Sequence, residues 1–379
     1  MNDFKEISPY EDAEVQGVIR KLKANKAFHY KFSYFFFPKI VSLLPFLGRL
    51  LFRFKFNKYF GSSKTIKDFQ ENISPFFIDM IKSSTDGFTV SGEENLTDKP
   101  TLFIGNHRDI ALDAAFLNYT LFSKDFKTAR IAIGDNLLDG DFAEDLMRLN
   151  KSFVVHRSIT GNKEAYKKLH RLSTYIQKSI CEDKESVWIA QRQGRASDGN
   201  DVTDVAVLKM LYLSSKKTLT LEEWLRAVNL TPVVISYEYD PLDIIKAKSS
   251  EGDTKALDIE RDINELIKGV RENKGRVHLH ICKPLVNELT SLEQISKEID
   301  LSIQSNYKLW PTNYFAVNEL SKTYSKYKSI IKKSMDMQNL SLFVERFKDL
   351  DKPALGTVFK AYARPVLNKK ESEHQGPDS

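Results

Sequence analysis

The chain has 379 residues, enough for one large domain with appendages or for two domains, and enough to bury a substantial core. Charged residues make up 28% of it, which excludes an apolar membrane bundle. A net charge of only +6, with no nucleic-acid motif, gives no reason to expect an RNA or DNA partner.

Cys181 and Cys282 are too few and too far apart for a disulfide framework or a metal motif, so a reducing cytoplasmic setting is expected. The first twenty residues are polar and acidic and offer no apolar signal segment. From residue 28 the character changes. Residues 28–58 are dense in Phe, Tyr and Leu, and their charges (Lys31, Lys39, Arg49, Arg53, Lys55 and Lys58) are all positive. Pro38 and Pro45 break the stretch, so no apolar span of about 20 residues is available to cross a bilayer. Cations among large apolar side chains suit an interfacial segment, and they equally suit a helical hairpin packed on a globular body. Residues 62–88 then read as an amphipathic helical stretch with a break at Pro75.

After residue 88 strand and helix alternate. Strands are expected at Thr101–Ile104, Ala129–Ile133, Ser152–Arg157, Ser186–Ala190, Thr231–Tyr237 and Val277–Lys283. Helices are expected at Ile110–Phe122, Phe142–Leu149, Lys163–Ile180 and Val205–Ser214. This succession predicts an α/β fold with a mostly parallel sheet flanked by helices over residues 89–290. A helical N-terminal region (1–88), a helical C-terminal extension (291–368) and a disordered tail (369–379) complete the expected organisation. His278, His280 and Cys282 alternate along the last strand, but a fourth ligand is not evident and no metal is expected.

Polar clusters follow three of the strands, where ligands of such sheets collect. The first is Gly105-Asn106-His107 with Asp109 and Asp113 close behind, and a carboxylate that fixes an imidazole's tautomer makes it a general base. The second is His156-Arg157. The third is Gln191-Arg192-Gln193-Gly194-Arg195, two guanidinia around a glycine that lets the backbone approach an anion. Together they predict a phosphate-bearing substrate whose hydroxyl is deprotonated by His107. Neither a Gly-x-Ser-x-Gly nucleophile nor a nucleotide-binding glycine motif is present, so direct attack by a substrate hydroxyl is favoured.

Asn106-His-Arg-Asp-Ile-Ala-Leu-Asp113 resembles the first sequence block of the glycerolipid acyltransferases, the 1-acylglycerol-3-phosphate and glycerol-3-phosphate acyltransferases. Phe153-Val-Val-His-Arg157, Gln191–Arg195 and Thr231-Pro-Val-Val-Ile235 are similar to the second, third and fourth blocks, and Val90–Leu96 to the turn before the first. The resemblance implies transfer of a fatty acyl group from acyl-CoA or acyl-carrier protein, as co-substrate and without a cofactor, to a glycerophosphate or lysophospholipid hydroxyl. It implies His107 as base, Asp113 as its orienting acid, and Arg157 and Arg195 as phosphate ligands, with Arg192, Gln193 and Gly194 beside them. The expected setting is the cytoplasmic face of a membrane, contacted through residues 28–58 without a spanning helix.

The sequence departs from the family pattern twice. The acid should stand five residues after the histidine, where this chain has Leu112, so Asp113 must be reached by a later helix start or a looped-out residue, and Asp109 is the second candidate. Gln193 stands where the third block carries an acid. A catalytically impaired relative that binds or scaffolds membrane lipid is the alternative reading.

Overall fold

The computed structural model describes residues 4–135, 142–156, 162–249, 268–285, 289–330 and 340–373. Their contacts divide the chain into two units, one built from described residues of 1–79 and 129–168, the other from those of 80–128, 169–256 and 268–379. The units do not follow the contiguous 89–290 domain expected from the sequence, because residues 129–168 group with the N-terminal helices.

The second unit carries the site. Its strands are β1 (Phe88–Ser91), β2 (Leu102–Gly105), β5 (Val187–Ala190), β6 (Thr231–Tyr237) and β7 (Val277–Ile281), in the spatial order β1-β7-β6-β2-β5. The numbers β3 (Arg130–Gly134) and β4 (Ser152–Val155) belong to a parallel pair in the first unit. β6 and β7 are antiparallel, and the other described pairings are parallel. All seven residues of β6 are buried, as a strand covered on both faces requires, and its sequence is accordingly a nearly continuous apolar run. β7 buries Val277, Leu279 and Ile281 fully and leaves His278 and His280 half-buried on the other face.

Behind the sheet edge, helices Pro311–Ser321 and Lys352–Glu373 share an apolar core with Tyr239, Phe343 and Phe347. The last helix runs to Glu373, so 369–373 is not the disordered tail that its polar composition predicts. Asn368 and Ser372 are buried and Lys369 donates to the Tyr307 carbonyl at 3.3 Å, contacts that composition alone does not reveal. Residues 374–379 of that expected tail lie outside the described residues.

In the first unit the aromatic segment forms three helices, Lys26–Phe36, Pro38–Leu43 and Pro45–Phe60. Pro38 and Pro45 each take the first helical position, where the missing N–H costs nothing. Phe28, Phe52, Phe56 and Phe60 fill a core with Phe69 and Leu149, the Phe28 ring meeting Phe52 and Phe56 edge-on at 5.3 and 5.1 Å. Helix Ile66–Ser84 runs straight through Pro75, against the expected break. A proline inside a helix forfeits a hydrogen bond at a cost of about 3 kcal/mol, and here Phe69, Ile73 and Phe76 keep that helix packed on the core.

Candidate active site

The last residue of β2 is a glycine at a crowded point: a Cβ on Gly105 would lie 2.9 Å from Trp188 Nε1 and 3.0 Å from Val233 Cγ2. Beyond it, the Asn106 side chain takes over the ladder. Its Oδ1 accepts from the Ile235 N–H at 2.9 Å and its Nδ2 donates to the Ile235 carbonyl at 3.0 Å, pinning the strand end to β6. On the other side the loop after β5 follows, with Gln191 N–H donating to Gly105 O and Ala196 N–H to His107 O, each at 2.8 Å. His107 is therefore held between β6 and the 191–196 loop before any side-chain contact is counted.

The ring is oriented by Asp113. His107 Nδ1 lies 3.0 Å from Asp113 Oδ2, and the indole of Trp188 meets the ring edge-on at 5.9 Å. The same Oδ2 accepts the backbone N–H groups of Arg108 (2.6 Å) and Asp109 (2.9 Å), while Tyr237 Oη donates to Oδ1 at 2.7 Å. Asp113 stands in the first turn of helix Leu112–Ser123, where a carboxylate is also favoured by the helix dipole. A carboxylate so rich in donors accepts from Nδ1–H, which leaves Nε2 as the nitrogen that can take a proton.

Of the two departures, the spacing is thus absorbed locally. The helix starts at Leu112, two residues later than expected, and 107–111 form a bend. Asp109 does not pair with His107. Its Oδ1 accepts from the N–H groups of Ala111 and Leu112, both at 2.9 Å, closing the bend. Burial, and then the charge of Asp113, raise its pKa above the ordinary carboxylate value, against those two N–H bonds. Burial likewise raises the Tyr237 hydroxyl well above its usual range, reinforced by Asp113 and Asp109, so it stays protonated and donates.

The third cluster is brought beside His107 by the Ala196 bond. Gly194 has φ +77°, the left-handed conformation glycine permits, and faces open space. Gln193 is exposed, Arg195 is half-buried, and Arg192 reaches the Asn200 carbonyl at 3.4 Å. Arg157 lies outside the described residues. Its neighbour His156 pairs with Asp135 at 3.2 Å in the first unit. Among the described residues no group of three or more His, Cys, Asp or Glu could hold a metal. His278 and His280 both meet the Ser91 hydroxyl, at 2.9 and 2.7 Å, while Cys282 turns to the Ser302 carbonyl.

Sequence reasoning missed Tyr237, Trp188 and a buried ion network under the bend. Arg108 is 3% exposed and its guanidinium meets Asp201 at 2.5 Å, Asp240 at 3.2 Å and the Gly199 carbonyl at 3.1 Å. Lys246 bonds both Asp240 and the Arg108 carbonyl. Arg108, Tyr237, Asp240, Lys246, Tyr307 and Tyr362 line one cleft, and His107 is not among the residues that line it. The one available signal was a tyrosine closing an otherwise apolar strand.

Residues 87–199 match the family model described as Acyltransferase. Among solved structures the chain is similar to the 1-acyl-sn-glycerophosphate (LPA) acyltransferase PlsC from Thermotoga maritima, at 14% identity over 79% of this chain and 99% of that one, with a TM-score of 0.37. A search of curated proteins found no match. The matched stretch runs from the residue before β1 to the loop after β5 and contains the His107–Asp113 pair and the Arg192–Arg195 loop. The likeness to an acyltransferase domain is thus carried by residues 87–199.

Proposed function

We propose that the protein transfers a fatty acyl group from a thioester, acyl-CoA or acyl-carrier protein, to the hydroxyl of a glycerophosphate or lysophospholipid, with His107 as general base. The observation that carries this reading is the His107 Nδ1–Asp113 contact at 3.0 Å, set beside a loop with two arginines and an open glycine. Nε2 takes the acceptor's hydroxyl proton as its oxygen attacks the thioester carbonyl. The tetrahedral intermediate collapses, the C–S bond breaks, and the imidazolium returns the proton to the thiolate. Asp113 holds the tautomer and meets the positive charge as it forms. Arg195 and Arg192 bind the acceptor's phosphate, and Arg157 is assigned to the same task.

The membrane surface is the proposed workplace. No described helix is long and apolar enough to cross a bilayer. Helices Pro38–Leu43 and Pro45–Phe60 leave Leu43, Leu44, Phe46, Leu47, Leu50 and Phe54 exposed, Leu43 by 81% and Phe46 by 73%. Lys39, Arg49 and Arg53 are exposed among them, and no acidic residue interrupts the segment. Each cation near an anionic headgroup layer contributes about 1 kcal/mol, and the apolar side chains enter the acyl boundary.

The test follows thioester consumption with a panel of glycerophosphate and lysophospholipid acceptors. Wild type turns over and His107→Ala loses about 10²–10⁴-fold with the fold intact. An equally active His107→Ala sinks the assignment of the base. Separately, Phe46→Ser with Phe54→Ser lowers binding to anionic vesicles at least tenfold, whereas His107→Ala leaves it unchanged. Vesicle binding without turnover on any acceptor favours a lipid-binding relative instead.

A further inference from the structure

Five residues separate His107 from Asp113, and something must hold that bend so that the carboxylate still reaches the ring. We propose that Arg108, clamped by Asp201 and Asp240, is the positioning residue of the His107–Asp113 pair. This inference rests on the assignment of His107 as base.

Arg108 is bonded in three directions. Its N–H donates to Asp113 Oδ2 at 2.6 Å, the same oxygen that faces His107. Its carbonyl accepts from Lys246 at 2.7 Å. Its guanidinium points into the interior, meets Asp201, Asp240 and Gly199 O, and lies 5.5 Å over the Tyr307 ring. Rotation of the 107–108 peptide would therefore pull either the amide from Asp113 or the guanidinium from two carboxylates. Arg108 and Lys246 balance Asp201 and Asp240, so the network carries no net charge toward the catalytic carboxylate. The far end of the bend is closed by Asp109 Oδ1, and Gly269 leaves room for the other oxygen: a Cβ there would lie 2.6 Å from Asp109 Oδ2.

A buried ion network is weak evidence for stability, since well-packed apolar residues of similar volume often replace one without loss. That fact separates positioning from mere structure. Asp201 alone adds a second hold: besides Arg108 it faces Asn106 Nδ2 at 3.4 Å, on the residue preceding His107.

The experiment compares wild type, Arg108→Lys, Arg108→Met, Asp201→Asn and the double variant Arg108→Met/Asp201→Leu. Turnover, Tm and the ¹⁵N and ¹H spectrum of the His107 imidazole are recorded for each. Positioning predicts that Arg108→Met lowers kcat 10–100-fold with KM within about twofold. It also predicts loss of the hydrogen-bonded Nδ1–H resonance and partial recovery of both in Arg108→Lys. The double variant regains Tm but not kcat or the resonance. Recovery of all three in the double variant overturns the proposal, as does an unchanged resonance in Arg108→Met. Should a single variant fail to fold, the isosteric Asp201→Asn and the double variant decide the matter by the same readouts. The resonance does not depend on turnover, so an inactive wild type whose resonance is nevertheless lost in Arg108→Met would sink only the acyl-transfer reading.

Discussion

Two histidine stations on strands of one sheet, β2 and β7 with β6 between them, make opposite use of the same side chain. His107, at the end of β2, has a carboxylate at Nδ1, and that carboxylate is itself held by two backbone N–H groups and a tyrosine hydroxyl. His278, on β7, has only hydroxyls: Thr89 at Nδ1, 2.8 Å, and Ser91 at Nε2, 2.9 Å. Hydroxyls satisfy a neutral ring on both nitrogens but supply no charge to meet a proton. Burial first, then Lys308 and His280, push the His278 pKa down to about 4. One ring faces a carboxylate, and the other faces hydroxyls and a nearby lysine that favour its neutral form. The difference lies in a neighbour's charge and not in the imidazole.

The largest expected effect comes from removing that charge. Asp113→Asn keeps the shape but presents an NH₂ to groups that are all donors, so kcat falls about 10²–10⁴-fold. Asp109→Asn, which can still accept from Ala111 and Leu112, stays within about tenfold. Steady-state turnover of the two variants checks this, and a heavier loss in Asp109→Asn would contradict the roles assigned.

A smaller effect is expected at the other station, in stability. Between pH 4 and 6.5 the unfolded chain binds more protons at His278 than the native chain does. Stability therefore rises with pH through that window and is lost on acidification, by at most about 3 kcal/mol. Denaturant titrations at pH 4.5 and 7 test it: His278→Gln should flatten the difference, and an unchanged pH slope would assign the acid sensitivity elsewhere.

Tyr237→Phe is expected to matter least. It removes one hydrogen bond to Asp113 Oδ1, worth about 1 kcal/mol, and should slow turnover roughly tenfold or less without lowering Tm appreciably. A loss as large as that of Asp113→Asn would make the hydroxyl a participant and not a support.

These contrasts also mark what the sequence could disclose. The strand ending in Gly105-Asn-His107 and the arginines after Ala190 were legible because strand ends and charged turns are local patterns. The alternation of strand and helix gave the mostly parallel α/β fold for the same reason. The choice between Asp109 and Asp113 was not legible, because it depends on a bend held by Asp201 and Asp240, some 90 and 130 residues downstream. Trp188 and Tyr237 look like ordinary strand residues until the sheet sets them beside Gly105 and Asp113. In residues 28–58 composition left two readings open, packed hairpin or interfacial segment. Phe52, Phe56 and Phe60 are buried at helical spacing, while Phe46, Leu50 and Phe54 are turned outward. Pro75 itself is exposed while Phe69 and Phe76 hold its helix against Phe60, and Asn368 reaches Asn200, 168 residues away, so those elements were misread.

The seam between the 196–201 loop and the C-terminal helix has a consequence for how the protein is made. Gly199 lies so close to that helix that a Cβ would come within 2.0 Å of the Ala361 carbonyl, and Asn200 accepts from Arg364 and Asn368. Asn200 and Arg364 are 164 residues apart. At a ribosome's pace of about 5–20 residues per second, the loop waits roughly 8–30 s for its last partners. During that interval Asn200 and its neighbours remain open to water and to proteases. Completion of the loop beside His107 is thereby tied to the arrival of the C-terminal helix, and a nascent chain stalled before residue 361 would display that loop unfinished.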